Sequence, residues 1–270
     1  MAGSPKAVTW SSEGTWYLAG GREVMKFDAA GVQLGRWSTA RPVWSLCLDP
    51  KGRVWVGEPG QIEVFTHEGQ LQDTWQNEKL FGLVTEIAVS EDEIFVADAR
   101  TRWIHRFTHD RGLVNHIGDQ HRKGGFHIPN GVLDFAVDLD GTVVVANPGM
   151  HRVERYRPDG ESLGYFGRFG QHDPQGFPGC CNPTNLALGP EGEIVVSEKA
   201  GPRVKVYSPE GELVSVVAGS DDFDAACKNM DLVVASTGLI GVVDPVGWQL
   251  VLFEPVTAPS EVLGVVGSTP

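Results

Sequence analysis

The sequence predicts an all-β protein, a six-bladed β-propeller of four-stranded antiparallel blades, and three observations support this prediction. A phrase of four short apolar runs recurs six times along the chain, at intervals of about 40 to 50 residues. The 270 residues include 34 glycines and 17 prolines, which supply the turns that many short strands need. The third run of each phrase ends on an aromatic residue: Phe27, Phe65, Phe107, Tyr156, Tyr207 and Phe253.

Within each phrase the runs come in the same order. An inner run such as residues 86–89 is followed by a turn and a β-branched run such as 94–97. A third run such as 204–207 then leads through a glycine turn into an outer run such as 212–217. Asp-Gly and Glu-Gly pairs at 140–141 and 191–192 are typical of tight hairpins. We therefore expect one domain over residues 1–270, with blades at approximately residues 8–37, 43–75, 84–117, 132–166, 183–217 and 231–266.

The two ends of this repeat predict how the ring closes. The first blade begins near Val8 with an inner strand, and the last blade ends with an outer strand at 261–266. Each terminal blade therefore has its own four strands. We expect the first and last blades to meet without exchanging a strand.

Charge and composition restrict the classes of partner. The chain has 22 Lys and Arg against 35 Asp and Glu, a net charge of −13, which disfavours binding to nucleic acid or an anionic membrane. No apolar stretch is long enough for a membrane span, and no phosphate loop or dinucleotide fingerprint predicts a nucleotide cofactor. The N-terminus lacks a secretory pattern. We expect a soluble protein, cytoplasmic as encoded, or periplasmic or extracellular if its N-terminus has been trimmed.

Three long loops are predicted on one face of the disc, because residues 118–131, 167–182 and 219–230 all precede inner strands. Long loops on a rigid scaffold are common binding surfaces. We expect a small molecule, a metal or a protein to bind this face. Its chemistry-bearing residues are predicted to be His116, His121, His127, His151, His172, Cys180, Cys181 and Cys227.

The adjacent cysteines Cys180 and Cys181 are the sharpest feature of this face, and several roles are open to them. They can close a vicinal disulfide that only shapes the loop, cycle as a redox pair, or remain inert thiols. As thiolates they can bind copper(I) or zinc, with Cys227, His127 and His151 as further ligands. The fourth cysteine, Cys47, lies in an inner run and is predicted to belong to the core.

Charged residues flank the cysteine loop. Glu198 and Lys199 follow the second run of the fifth blade, and Arg203 begins the third run. These side chains are candidates for orienting an anionic or carbonyl group of a ligand.

A second candidate site lies in the central channel. When the inner runs are aligned, polar residues recur near their starts, on the side that faces the channel. Carboxylate and amide oxygens from different blades could form a ring that suits a hard cation such as calcium. The alternative is a water-filled polar channel without an ion. The aligned residues are Ser45, Glu86, Asp134, Asn185 and Asp231.

The ends of the second runs carry another recurring acid or amide. We expect these side chains mainly to accept hydrogen bonds from the loop that follows, which is a structural role. The residues are Glu58, Asp98, Asn147, Glu198 and Asp244.

Several phrases resemble NHL-type repeats, a family of six-bladed propellers. The phrases are residues 135–141 and 145–153, and the repeat covers nearly the whole chain. Residues 176–183, which contain Gly-Cys-Cys-Asn-Pro, and residues 197–207 look like a bacterial subgroup of these proteins. The resemblance implies the fold, whereas propellers support many unrelated activities.

Two functions follow as hypotheses. The first is a binding platform whose loop face, with Cys180 and Cys181, binds a metal, a small ligand or a partner, with a possible redox role. The alternative is a metal-dependent hydrolase or lyase, lactonase-like or amidating-lyase-like, in which a channel cation polarises a carbonyl. Glu86, Asp134 or His127 would then move a proton.

Overall fold

Six four-stranded antiparallel sheets form the molecule in the computed structural model, which confirms the predicted six-bladed β-propeller. The structure describes residues 3–118, 124–199 and 201–254, and the backbone of residues 262–267. In every blade the four strands are adjacent in sequence order, from the channel outward. His121, one of the predicted loop histidines, lies outside the described residues.

The first three blades use the first twelve strands. Blade 1 consists of β1 (Pro5–Trp10), β2 (Trp16–Gly20), β3 (Glu23–Phe27) and β4 (Gln33–Ser38). Blade 2 consists of β5 (Ser45–Leu48), β6 (Val54–Glu58), β7 (Gln61–Phe65) and β8 (Leu71–Gln76). Blade 3 consists of β9 (Val84–Val89), β10 (Glu93–Asp98), β11 (Trp103–Thr108) and β12 (Leu113–Ile117).

The remaining strands repeat this plan. Blade 4 consists of β13 (Asp134–Val137), β14 (Val143–Asn147), β15 (Arg152–Tyr156) and β16 (Ser162–Phe166). Blade 5 consists of β17 (Asn185–Leu188), β18 (Ile194–Glu198), β19 (Arg203–Tyr207) and β20 (Leu213–Ala218). Blade 6 consists of β21 (Leu232–Val234), β22 (Ile240–Asp244), β23 (Gln249–Phe253) and β24 (Val262–Gly267).

The hydrophobic core lies between neighbouring blades. Because both faces of the middle strands are apolar, each sheet buries one face against the blade before it and one against the blade after it. Tyr17 of blade 1 packs with Leu46 of blade 2 in one such cluster. Trp16 of blade 1 packs with Val243 and Leu250 of blade 6, which closes the ring. The ring closes by packing without strand exchange, as the sequence predicts.

Glycine turns connect the strands on the face opposite the long loops. Gly141 and Gly192 join the first and second strands of blades 4 and 5, with φ of 86° and 84°. Only glycine adopts this left-handed conformation without strain, so the Asp-Gly and Glu-Gly signals in the sequence correspond to real hairpin turns. The one helical segment in the described part is a single 3-10 turn, Pro148–Met150, and no helix there could cross a membrane.

Candidate functional site

Strand register places the predicted channel residues at equivalent positions. Glu86 pairs with Ala97, Asp134 with Ala146 and Asn185 with Ser197, in each case one residue before the end of the second strand. Asp231 occupies the corresponding place in blade 6, where its carbonyl accepts a hydrogen bond from the Val243 N–H at 2.8 Å. The small partners on the second strands leave room for these polar side chains at the channel wall. In blade 2, Ser45 pairs with Gly57.

Three of these residues converge in space and form what we call the channel cluster: Glu86, Asp134 and Asp231. One carboxylate oxygen from each lies within 4.8 Å of the others. Across the residues that the structure describes, this is the only group of three or more acidic, histidine or cysteine side chains close enough to share a metal ion. The sequence prediction that inner strands bring these carboxylates together therefore agrees with the geometry.

Hydrogen bonds hold the cluster in place from several blades. Asn185 donates its side-chain amide to Asp134 Oδ2 at 2.5 Å, and the Val8 N–H donates to Asp231 Oδ2 at 2.8 Å. The Thr85 hydroxyl donates to the Leu133 carbonyl at 2.7 Å, which fixes blade 3 against blade 4 beside the cluster. Asp134 and Asp231 are thus each held by a hydrogen bond from a neighbouring blade.

One oxygen at the cluster has no partner. Asn185 is 5% exposed, and its Oδ1 is buried without a hydrogen bond while its Nδ2 binds Asp134. A buried carbonyl oxygen without a donor costs about 1 to 3 kcal/mol. Asn185 Oδ1 is therefore a candidate for a fourth oxygen ligand beside the cluster.

Burial and mutual repulsion change the protonation of the channel cluster. Burial raises the pKa of Glu86 well above its ordinary value, and the carboxylates of Asp134 and Asp231 raise it further. Burial and then Asp231 raise the pKa of Asp134 in the same way. Burial raises the pKa of Asp231 to about 7. Without a positive charge between them, these groups retain protons at pH values where isolated carboxyl groups are ionised.

A cavity of about 330 Å³ continues from the cluster along the channel. Glu86 and Asp231 contribute to its wall, and most other lining residues are apolar, including Cys47, Ala88 and Val233. This volume is at the small end of the range for ligand sites. The predicted core residue Cys47 is partly buried and lines the cavity.

The residues present fit a hard divalent cation. Calcium binds oxygen at about 2.3 to 2.6 Å, so oxygens on opposite sides of it are about 4.6 to 5.2 Å apart. The carboxylate separations in the channel cluster do not exceed 4.8 Å, so one calcium ion can contact an oxygen of all three residues. Magnesium requires shorter bonds and a stricter octahedron than calcium does.

Two of the acids at the ends of the second strands, Asp98 and Asp244, accept hydrogen bonds from the loop that follows, as the sequence predicts, and Asp98 also binds the loop that precedes β9. Asp98 Oδ2 accepts the N–H groups of Gly82 and Leu83 at 2.6 and 2.7 Å. Asp244 Oδ1 accepts the N–H groups of Val246 and Gly247 at 3.0 and 2.8 Å. These carboxylates organise loop backbone and are not available to a ligand.

Cys180 and Cys181 are two free thiols at the end of the 167–182 loop, and no disulfide joins them. Cys180 is exposed and Cys181 is 5% exposed, and the Cys181 thiol donates to Cys180 Sγ at 3.1 Å. This hydrogen bond, followed by the nearby Lys199 ammonium, lowers the pKa of Cys180. Burial raises the pKa of Cys181.

Asn182 fixes the position of the cysteine pair. Its side-chain amide donates to the carbonyls of Pro178 and Lys199 at 2.7 and 2.8 Å, and its Oδ1 accepts the Lys199 N–H at 2.9 Å. Asn182 is fully buried, and all three of these bonds are satisfied within the protein. The cysteine loop is consequently attached to the turn between β18 and β19.

A buried ion-pair network contacts the cysteine loop. It includes Glu198 and Arg203, two of the residues predicted to bind a ligand. Glu198 is fully buried and pairs with Arg203 at 2.6 Å and with Lys205 at 2.7 Å. The Lys205 ammonium also donates to the Gly176 carbonyl at 2.7 Å and lies over the Phe177 ring. Glu198 and Arg203 are thus committed to internal pairing, whereas Lys199 remains beside the thiols.

The structure does not bring the other predicted soft-metal ligands together with the thiol pair. Cys227 is fully buried in the core between blades 5 and 6, and its thiol donates to Asp244 Oδ1 at 3.2 Å. The His151 ring packs edge-on against Phe169, with centroids 5.2 Å apart, and His127 packs beside Gly149. No group of three metal ligands among the described residues includes any of these side chains.

Two features were missed by sequence reasoning. Lys205 is a fully buried lysine in β19. The sequence feature that could have indicated its burial is the acid Glu198 at the end of the preceding strand, with which it pairs. His116, which the sequence places on the loop face, lies in β12, and its Nδ1 is 2.7 Å from Nδ1 of buried His105. Burial lowers the pKa of His105 to about 4, so this ring is uncharged at neutral pH, and burial also lowers the pKa of His116.

Known structures share this fold. Virginiamycin B lyase from Staphylococcus aureus is similar with a TM-score of 0.61 and 14% identity, over 97% of this chain and 84% of that protein. A streptogramin B lyase has a TM-score of 0.64 at 14% identity, over 98% and 85% of the two chains. A Bacteroides thetaiotaomicron protein of unknown function has a TM-score of 0.70 at 13% identity, over 90% and 67%. At these identities the likeness shows the fold alone.

At the level of sequence, no protein-family model and no curated protein matches the chain. The NHL label and the Gly-Cys-Cys-Asn-Pro subgroup therefore remain predictions from the resemblance.

Proposed function

We propose that the protein is a calcium-binding propeller whose channel cluster and Asn185 hold one divalent cation at the head of the central cavity. The observation that carries this proposal is the convergence of three carboxylates from blades 3, 4 and 6, with oxygens within 4.8 Å of one another. The buried, unpartnered Oδ1 of Asn185 adds a neutral oxygen from blade 5. Carboxylate and amide oxygens are the ligands that calcium prefers.

Charge balance gives a physical reason for an ion at this position. The buried carboxylate of Asp134 and the half-buried ones of Glu86 and Asp231 repel one another when ionised, and no lysine or arginine of the described residues forms an ion pair with them. The cluster therefore holds protons or a cation. Binding a cation displaces the protons, so its affinity increases with pH.

The cavity beside the cluster suggests how the ion would be used. A small molecule with a carbonyl or carboxylate group could enter the apolar cavity of about 330 Å³ and direct its oxygen towards the cation. In this proposal the cation both links blades 3, 4, 5 and 6 at the channel and provides a polar anchor for the ligand.

A second candidate function is hydrolysis or lyase chemistry at the same position. A bound cation would supply Lewis-acid polarisation of a ligand carbonyl. Among this chain's own residues, Glu86 and Asp231 line the cavity and are placed to move a proton of the ligand. The lyases with this fold make such a reaction worth assaying, although they share only the fold.

The loop face remains a separate candidate surface for a small ligand or a protein. Exposed Cys180 beside Lys199 favours it, since the two provide a soft nucleophile next to a positive charge. The described histidines and Cys227 do not join this site. A metal is therefore better assigned to the channel than to the cysteines.

Isothermal titration with calcium at about pH 8 tests the proposal, after the protein has been dialysed against chelator. We expect one equivalent to bind the natural protein and Asp92→Asn, an exposed acid of blade 3 that serves as the charge-matched control. Glu86→Gln and Asp134→Asn should each weaken binding at least about tenfold, because each removes one charged ligand. Equal binding by all four proteins, or none by the natural protein, would refute the proposal.

A further inference from the structure

The vicinal thiols have a geometry suited to chemistry that does not involve the channel. We propose that Cys180 and Cys181 form a redox-active dithiol that exchanges with low-molecular-weight disulfides, with Cys180 as the attacking thiol and Cys181 as the resolving thiol. The proposal rests on their separate exposures, their close approach and the anchoring of their loop. It is independent of calcium binding.

The two sulfurs differ in access. Cys180 is exposed, whereas Cys181 is 5% exposed. A disulfide that approaches from solvent therefore meets Cys180 first. The buried thiol is only 3.1 Å from the first sulfur, so it is the nearest nucleophile to any bond formed there.

The surroundings of Cys180 favour its thiolate form. The Cys181 S–H group donates to Cys180 Sγ, which stabilises negative charge on that sulfur. Lys199 adds a positive charge nearby, and Lys228 adds a weaker one, and together these groups lower the pKa of Cys180. The thiolate is the reactive form in disulfide exchange.

Both ends of the cysteine loop are held firmly. On the C-terminal side, the three hydrogen bonds of Asn182 attach the pair to the Lys199 backbone. On the N-terminal side, buried Lys205 binds the Gly176 carbonyl at 2.7 Å and Tyr207 donates to the Gln175 carbonyl at 3.1 Å. These anchors keep the two sulfurs close together instead of leaving them on a free loop.

The exchange takes place in two balanced steps. The Cys180 thiolate attacks one sulfur of a disulfide RSSR, which breaks the S–S bond, forms a Cys180–S–S–R mixed disulfide and releases RS⁻. Cys181 then loses its proton to solvent and attacks the Cys180 sulfur, which forms the Cys180–Cys181 bond and releases a second RS⁻. The protein is oxidised by two electrons, and RSSR is reduced to two thiols. The sulfurs must approach by about 1 Å to reach bonding distance.

The other two cysteines provide internal controls. Burial raises the pKa of Cys47 and of Cys227 to about 12, so both are protonated at neutral pH. Cys227 is also fully buried, and its thiol donates a hydrogen bond to Asp244. Neither should exchange at a rate comparable with Cys180.

Incubation of the folded protein with oxidised glutathione in the presence of chelator, followed by intact-mass analysis and peptide mapping, tests the proposal. We expect the natural protein to lose two hydrogens, to form the Cys180–Cys181 bond and to retain no glutathione on any cysteine, Cys47 included. Cys181→Ser should retain one glutathione on Cys180, because the resolving thiol is missing. Cys180→Ser should react at least about tenfold more slowly.

Some results would overturn the proposal. These are glutathione retained on Cys180 of the natural protein, glutathione found first on Cys181, or unchanged reaction of Cys180→Ser. If Cys180→Ser does not fold, the peptide map of the natural protein and the adduct position in Cys181→Ser decide the matter. Because chelator is present throughout, this test can fail or succeed independently of the calcium titration.

Discussion

Without calcium, the free energy of unfolding of the protein should fall as pH rises from about 5 to about 8. This direction is opposite to that of ordinary acid denaturation. The perturbation is a change from about pH 5 to about pH 8 in chelator. A buried carboxyl group with a raised pKa holds a proton in the folded state that it loses in the unfolded state. The folded state therefore binds more protons in this window, and the free energy of unfolding falls as pH rises.

The pKa of Asp231 gives the magnitude. Its pKa changes from the ordinary 3.8 to about 7 on folding, a difference worth about 4 kcal/mol at about 1.4 kcal/mol per pH unit. The contribution is complete below about pH 4 and is lost as pH rises through about 7. Of this pKa shift of about three units, about two units fall between pH 5 and the folded-state pKa of about 7. The expected loss of stability between pH 5 and pH 8 is therefore about 3 kcal/mol.

Urea denaturation followed by tryptophan fluorescence measures this loss. Asp231→Asn is the matched variant, because it keeps the shape of the side chain and removes its titration. The buried acid Glu58, whose pKa burial raises to about 7, and His105, whose pKa burial lowers to about 4, affect both proteins in the same way. The difference between the two pH profiles therefore isolates the contribution of Asp231, which includes its repulsion of Glu86 and Asp134.

Calcium should reverse the effect. An ion at about 100 times its dissociation constant adds about 2.7 kcal/mol, and it adds more at pH 8 than at pH 5 because protons compete for the same oxygens. The reasoning is refuted if the natural protein and Asp231→Asn lose the same stability between pH 5 and pH 8 in chelator. Calcium stabilisation that is equal at both pH values would also contradict it.

Three substitutions elsewhere test the packing that positions the sites, and urea denaturation measures each. Lys205→Met should cost about 3 to 5 kcal/mol, because it leaves one oxygen of buried Glu198 without its ion pair, and the double variant with Glu198→Gln should recover part of that loss. Asn182→Ala should cost about 1 to 3 kcal/mol, since three hydrogen bonds disappear from a buried position. Gly57→Ala should cost about 1 to 3 kcal/mol, because the added methyl group would lie 2.8 Å from a Val84 methyl group. Losses below about 0.5 kcal/mol in any of the three would contradict the packing described.

Repetition made the fold and the channel predictable from sequence. The same four-strand phrase recurs in every blade, so aligning the inner runs also aligns residues that face the channel. Glu86, Asp134 and Asn185 indeed occupy the same register in three different blades. A position that is repeated around an axis can be located in three dimensions without any knowledge of loop structure.

The loop face was less predictable because loops do not follow the repeat. Sequence position placed Cys227 on the same face as Cys180, but the packing of blade 6 turned its thiol into the core towards Asp244. The sequence predicted Glu198 and Arg203 as ligand-binding residues. In the structure Glu198 instead forms ion pairs with Arg203 and with buried Lys205. Such local choices depend on which neighbour satisfies a buried charge, and one sequence does not specify that neighbour.

A crystal grown with calcium at about pH 8 and measured for anomalous scattering tests the central claim most directly. We predict a single anomalous peak in the channel, at about 2.3 to 2.6 Å from an oxygen of each of Glu86, Asp134 and Asp231, with Asn185 Oδ1 as a further ligand. The absence of a peak between these three carboxylates, in crystals whose solvent contains calcium well above millimolar concentration, would contradict the account.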